Sequence, residues 1–199
     1  MKKIIKYLLC SFVVISLVGC SMGNTPTKKV ENFLDSYRKQ DENVITQLKE
    51  MIDSDNLMDE NQKETYSDII KKQYSDLTYN IKNETINGDK ATVTAEIEVY
   101  DFYKANKEAE EYYNNNKKEF EDNSVVEDVK EKAKDVAEGA KDAITSDSKY
   151  INYRLGKLKD ADDRIKYTVD FTLTKNDGNW KLDDIDDVTR QKIHGLYEH

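Results

Sequence analysis

This chain is short of the residue types that most protein chemistry uses. It has two cysteines, Cys10 and Cys20, and none after residue 20. A disulfide within the rest of the chain is therefore impossible, and zinc held by cysteines is excluded there. Histidine, the usual acid or base near neutral pH, occurs twice, at His194 and His199, both in the last six positions. The expectation is that His199 frays at the chain end and that neither histidine sits in a pocket. Seven glycines are scattered, so no glycine-rich loop is available to cradle a phosphate. The single proline is Pro26. Apolar runs are short. The longest, Tyr7 to Val18, is broken only by Cys10, Ser11 and Ser16, and falls short of the roughly 20 residues a membrane-crossing helix needs. Gly19-Cys20-Ser21-Met22-Gly23 spells a nucleophile-elbow pattern. That pattern requires a strand before it and a helix after it, and is dismissed here because it follows the apolar run of a leader.

What is present at the start is a leader. Lys2, Lys3 and Lys6 form a basic head, the apolar run follows, and small residues close it, as in a secretory signal peptide. The closing residues Leu17-Val18-Gly19-Cys20 resemble the lipobox of bacterial lipoproteins. That resemblance implies cleavage before Cys20 and two or three acyl chains on it, which meets the requirement of more than one chain for stable anchoring. It implies a signal over residues 1–19 and a tether over 20–25. The location implied is the extracytoplasmic side of the cell membrane.

Charge bounds the partners. The chain carries 31 Lys and Arg against 40 Asp and Glu, a net charge of −9. Without the three lysines of the head, the remainder stands at −12. Such a surface disfavours nucleic acid and anionic headgroups. Thirteen tyrosines against one tryptophan supply half-polar packing.

From residue 26 the pattern reads as one α+β domain to 199. Helices are expected over 26–75. Thr25 is placed as N-cap with Pro26 in the first turn. The first stripe is Val30, Phe33, Leu34 and Tyr37. Asp41 is placed as the next cap, before an inner face of Val44, Ile45, Leu48, Met51 and Ile52. Asp59 and Gln62 suggest a capping box before Tyr66, Ile69, Ile70 and Tyr74. The period then changes to two. A hairpin is expected over 77–103, its second strand burying Ala91, Val93, Ala95, Ile97 and Val99, with Asn87-Gly88 as a type I′ turn. A second hairpin, 163–185, buries Ile165, Tyr167, Val169, Phe171 and Leu173, turns at Asn176–Asn179 and returns through Trp180 to about Ile185. Between them lies a helical insert, 104–161, read as three helices carrying Ala105 to Phe120, Val125 to Ile144, and Ile151 to Leu158. A C-terminal helix over 186–197 carries Val188, Ile193 and Leu196.

The opening Thr25–Asp41 helix and the segment Gly178-Asn179-Trp180-Lys181-Leu182-Asp183 resemble small bacterial lipoproteins with a nuclear-transport-factor-2-like, or cystatin-like, domain. The resemblance covers residues 25–103 and 163–186 and omits the insert. It implies N-terminal helices packed on one face of a curved antiparallel sheet of about four strands. It implies little about function, because that fold hosts unrelated activities. Trp180 is expected in the core.

A search for chemistry finds little. Carboxylates could hold a hard cation, and the weak candidates are Asp183, Asp184, Asp186 and Asp187, with Asp160, Asp162 and Asp163 behind them. Neither run has EF-hand spacing, and Asp runs at element ends are usually solvated caps. Asn83-Glu84-Thr85 fits a glycosylation acceptor, which carries little weight in a bacterium. The inward strand faces offer only Tyr167 as a polar group, which suits an apolar ligand better than proton transfer. No catalytic residue and no cofactor is read from the sequence. The expected role is a non-catalytic binding or accessory module of the cell envelope. Its partners would be the membrane, through lipid on Cys20, and an envelope protein or small apolar ligand. The alternatives are a ligand-binding or enzymatic cavity in the domain, and a stress-related protein acting through the insert.

Overall fold

The computed structural model describes residues 23–55, 57–120 and 138–199, with side chains from Ser148 onward in the last stretch. The leader, the lipobox with Cys20, and the insert helix read over Val125–Ile144, apart from its backbone from Glu138, lie outside the described residues.

Three helices come first: α1 (Pro26–Lys39), α2 (Glu42–Asp53) and α3 (Glu60–Asp76). Thr25 caps α1, its side chain accepting from Lys28 N. Asp59 and Gln62 make both halves of a capping box on α3. Asp41 occupies the N-cap position of α2 without a side-chain hydrogen bond. The predicted stripes are buried, except that Met51 is exposed and Phe33 and Ile45 are partly covered.

Four strands follow in the order β1 (Thr78–Asn87), β2 (Lys90–Tyr100), β3 (Arg164–Asn176) and β4 (Asn179–Leu182), all antiparallel, in an open sheet whose spatial order is the chain order. β2 and β3 alternate buried and exposed along their length, as one covered face and one wet face require. The covered face packs on α1, α3 and the C-terminal helix. The protein is thus α+β, with helices on one face of a four-stranded sheet. One hydrophobic cluster draws on all three N-terminal helices, the sheet, the insert and Ile193.

Several boundaries differ from expectation. The first hairpin turns at Gly88-Asp89, with Asn87 paired to Lys90. Only Gly88 has positive φ there, which is the II′ pattern rather than I′. The second hairpin has positive φ at both Asp177 and Gly178, the I′ requirement. β4 ends at Leu182, three residues before the expected limit, because the chain leaves the sheet to place Asp186 as the next helix cap.

The insert begins earlier than expected, with α4 (Phe102–Asn115) capped by Asp101, and breaks before α5 (Lys117–Phe120). Asn114, Asn115 and Asn116 explain the break, because asparagine side chains compete with helical hydrogen bonds. The Asn116 amide donates to the Tyr112 carbonyl. α6 (Glu138–Lys159) runs without the interruption expected between Ile144 and Ile151. α4 and α6 pack on each other, and α6 packs on α3. The described ends of the insert therefore belong to the domain, with Phe102, Ala105, Ile151, Leu155 and Leu158 in its core. At the outer end, the rings of Tyr112, Tyr113, Phe120, Tyr150 and Tyr153 contact one another and tie α4, α5 and α6 together.

The last helix, α7 (Asp187–Ile193), stops four residues short of expectation. Gly195 N donates to Lys192 O and Leu196 N to Gln191 O, the two bonds of a Schellman stop with glycine in the left-handed position. Val188 faces out while Ile193 is fully buried.

Candidate functional site

The far end of β2 organises the molecule. Tyr100 ends the strand, Asp101 caps α4, and α3, α6 and the C-terminal residues converge there. The Tyr100 hydroxyl donates to Asp76, and its ring stacks on Phe102. Lys72 Nζ lies 4.8 Å and the Arg164 guanidinium 4.9 Å from the ring centroid. Gln73 is fully buried and serves the same residue: its Oε1 accepts from Tyr100 N at 2.8 Å and its Nε2 donates to Tyr100 O at 3.2 Å. It replaces a neighbouring strand where the sheet offers none.

Two grooves flank α6. The first, about 310 Å³, lies between α3 and α6, at the lower end of the range for small-molecule sites. Ile69, Tyr100, Phe102, Leu158 and Ala161 form its apolar lining, and Asp68, Lys72 and Lys159 are its charged residues. Neither lysine makes an ion pair among the described residues. The second groove, about 410 Å³, lies between α4 and α6 and is polar. Lys104 there pairs with Asp163 and sits 3.9 Å from Glu108. The buried Asp101 accepts from Lys104 N through Oδ1, while its Oδ2 is 3.3 Å from His199 Nε2. Lys104 is thus neutralised by the carboxylates around it.

The four weak metal candidates do not converge. Asp183 accepts from Thr174 Oγ1 at 2.8 Å. Asp184 is exposed. Asp186 caps α7, and the Thr189 backbone N–H holds its carboxyl below the usual range. Asp187 pairs with Arg190 at 2.6 Å. Among the described residues no cluster of three or more histidine, cysteine or carboxylate groups is arranged to hold a metal ion. Asp160, Asp162 and Asp163 line the polar groove.

The inner sheet face is buried at alternate positions from Ala91 to Val99 and from Tyr167 to Leu173. Ala91 and Ala95 are buried and line neither groove. Tyr167 donates to the Tyr197 carbonyl, and burial pushes its hydroxyl up to about 12. Trp180 is 7% exposed, with Lys175 over its ring.

His199 departs from expectation, and His194 has a structural role that the sequence did not suggest. His199 is held by Asp101 and against the rings of Tyr103 and Tyr167; the acidic end of β2 pins the terminus that was expected to fray. His194 lines neither groove, but its Nε2 is hydrogen-bonded to the Tyr74 hydroxyl at 2.8 Å. Part of the residue reaches the surface, yet the ring is desolvated, and burial first and Arg190 second bring its pKa down to about 4. Tyr74, itself driven upward by burial, stacks edge-on against Tyr37.

The sign of the resulting pH dependence is fixed. Below the ordinary histidine value the unfolded chain takes a proton that the folded chain refuses, so stability falls as pH drops from about 6.5 toward 4. Between pH 6.5 and 5 the His194 contribution is about 2 kcal/mol. His194→Gln should lose that much less than wild type over this interval in urea melts; parallel pH profiles for the two proteins would refute the assignment.

Sequence reasoning missed Gln73, the clamp by His199, and a second role for Gln62. Besides closing its capping box, Gln62 donates through Nε2 to Ser148 O, Ser148 Oγ and Asn152 Oδ1, tying α3 to α6. Nothing in local periodicity marks these residues. It also missed Asn24, which was assigned to the tether. Asn24 Nδ2 donates to Gly178 O, and Asn24 Oδ1 accepts from Trp180 N, both at 3.0 Å.

No family model matches the chain, and no curated protein matches it. Among solved structures, the candidate lipoprotein YcdA of Bacillus subtilis aligns over 89% of this chain at 16% identity, with a TM-score of 0.48. The alignment spans 57% of that protein's length. At this identity and score the likeness fixes neither a shared fold nor a shared function.

Proposed function

We propose that this chain is a lipid-anchored extracytoplasmic lipoprotein and serves as a non-catalytic binding or accessory module of the bacterial cell envelope. The observation that carries this is the leader ending in Leu17-Val18-Gly19-Cys20. One further feature supports it: Asn24, four residues after the cysteine, is already bonded to Gly178 and Trp180 of the domain. The order of three helices, then strands on one covered face, supports the cystatin-like resemblance. The non-catalytic reading is supported by the apolar, buried inner sheet face and by the engagement of Asp101, His194 and Tyr167 in structural bonds.

The groove between α3 and α6 favours a second reading, a small apolar ligand with one anionic group. The apolar lining would bury its body, and Lys72 and Lys159 would meet its charge. Isothermal titration with a short-chain alkyl carboxylate tests it. The expected outcome is weak binding lost in Lys72→Ala/Lys159→Ala; equal binding by that variant excludes the groove.

The anchor itself is tested by fractionation. Cys20→Ala should move the protein from the membrane pellet to the soluble fraction after a salt wash. Retention of the variant in the pellet contradicts lipid anchoring through this residue.

A further inference from the structure

The polar contacts of Asn24 fix which end of the domain meets the bilayer. We infer that the two hairpin turns, Gly88-Asp89 and Asp177-Gly178, form the membrane-facing end, and that the insert with both grooves points away from the lipid surface. The inference rests on the acylation of Cys20 proposed above.

From Cys20 to Asn24 the chain spans at most about 14 Å when fully extended. Asn24 is not free to drift from the domain. Its side chain bonds Gly178 O and Trp180 N at 3.0 Å and Asn179 Oδ1 at 3.3 Å, so it is fastened to the β3–β4 turn. Three residues on, Thr27 N and Oγ1 both donate to Glu84 Oε2 of β1, at 2.9 and 2.6 Å. The chain therefore enters the fold between the two hairpins. The turns are side by side, because Lys90 pairs with Thr174 and Lys175 N donates to Asp89 O.

The other end is distant. β2 runs 11 residues from Lys90 to Tyr100, about 34 Å at the rise of an antiparallel strand. Tyr100, Asp101 and Phe102 line the grooves, so these open far from the anchor.

Charge fits the same placement. The turns carry Asp89, Lys90, Lys175 and Asp177, two of each sign, in a processed chain at −12. A balanced, hydrogen-bonding tip can approach anionic headgroups that repel the acidic body. A ligand or partner in the grooves would then arrive from the envelope space, not from the bilayer beneath.

The test uses the full chain, extracted from membranes and reconstituted into vesicles of phosphatidylethanolamine and phosphatidylglycerol carrying headgroup nitroxides. With Cys20 acylated and Cys10 removed with the leader, a fluorophore can be placed on one introduced thiol, Asp89→Cys or Lys107→Cys. The Asp89→Cys label should be quenched at least threefold more strongly. Asn24→Ala should lower the ratio only in part, because Thr27 still fastens the chain to Glu84. Equal or reversed quenching in protein whose mass confirms acylated Cys20 overturns the orientation alone. An unmodified Cys20 and no vesicle binding overturn the anchor, and the orientation with it.

Discussion

Gly195→Ala lowers the melting midpoint of the domain by roughly 10 °C, a cost of about 3 kcal/mol. Two effects add. Gly195 has φ +70, in the region where a side chain crowds its own backbone. A β-carbon there would also fall inside contact distance of the Tyr100 carbonyl oxygen and of Gln73 Nε2. The first of these is backbone at the end of a hydrogen-bonded strand and cannot step aside. Gly195 itself holds the neighbouring helix, since its carbonyl accepts from Tyr103 N at 2.8 Å. The substitution therefore pushes the C-terminal segment off β2 and α4 together. Thermal melts by circular dichroism check this; a change of under 2 °C would mean the segment relaxes freely.

Gln73→Leu has a comparable effect through the opposite mechanism. Leucine is close in volume, so little cavity forms, but Tyr100 N–H and C=O lose the partner that Gln73 supplies to both. Unpaired buried groups cost about 1–3 kcal/mol each, so the loss is about 2–6 kcal/mol. Urea denaturation reads it directly, and a midpoint equal to wild type would show that water replaces the amide without loss. The two substitutions share the Tyr100 carbonyl and the Gln73 amide, so their costs should not add. The double variant is expected to be more stable than the sum predicts, because leucine removes the Nε2 atom that an alanine at 195 would strike.

These two sites show where sequence reading stops. Period-two alternation from Ala91 to Val99 and from Tyr167 to Leu173 placed the sheet's buried face residue by residue, because each side chain's fate follows from its parity. The helical stripes were legible for the same reason. Turn chemistry was half legible. Asn87-Gly88 suggested a I′ turn, but pairing of Asn87 with Lys90 moved the turn one residue along, and Asp177-Gly178 took the I′ geometry instead. Gly195 carried a readable stop signal that the apolar spacing of Ile193 and Leu196 concealed. Gln73, Gln62 and Asn24 carried none. Each acts across 27 to 156 positions of sequence, and a glutamine or asparagine looks locally like any solvated polar residue.

The candidate groove was invisible for a related reason. Ile69 and Leu158 each read as core, and only the packing of α6 on α3 leaves the space between them partly open. The middle of the insert is charge and alanine, so the sequence left open whether it packs on the sheet; its ends supply Phe102, Ala105, Ile151, Leu155 and Leu158 to the same cluster as the sheet.

The proposed membrane anchor depends on Cys20. Mass spectrometry of the N-terminal peptide from membrane-extracted protein tests it directly. The expected peptide begins at Cys20 and carries a thioether-linked diacylglycerol, with or without a third chain on its amine. A peptide that begins elsewhere, or one that begins at Cys20 with a bare thiol, would contradict the lipid anchor.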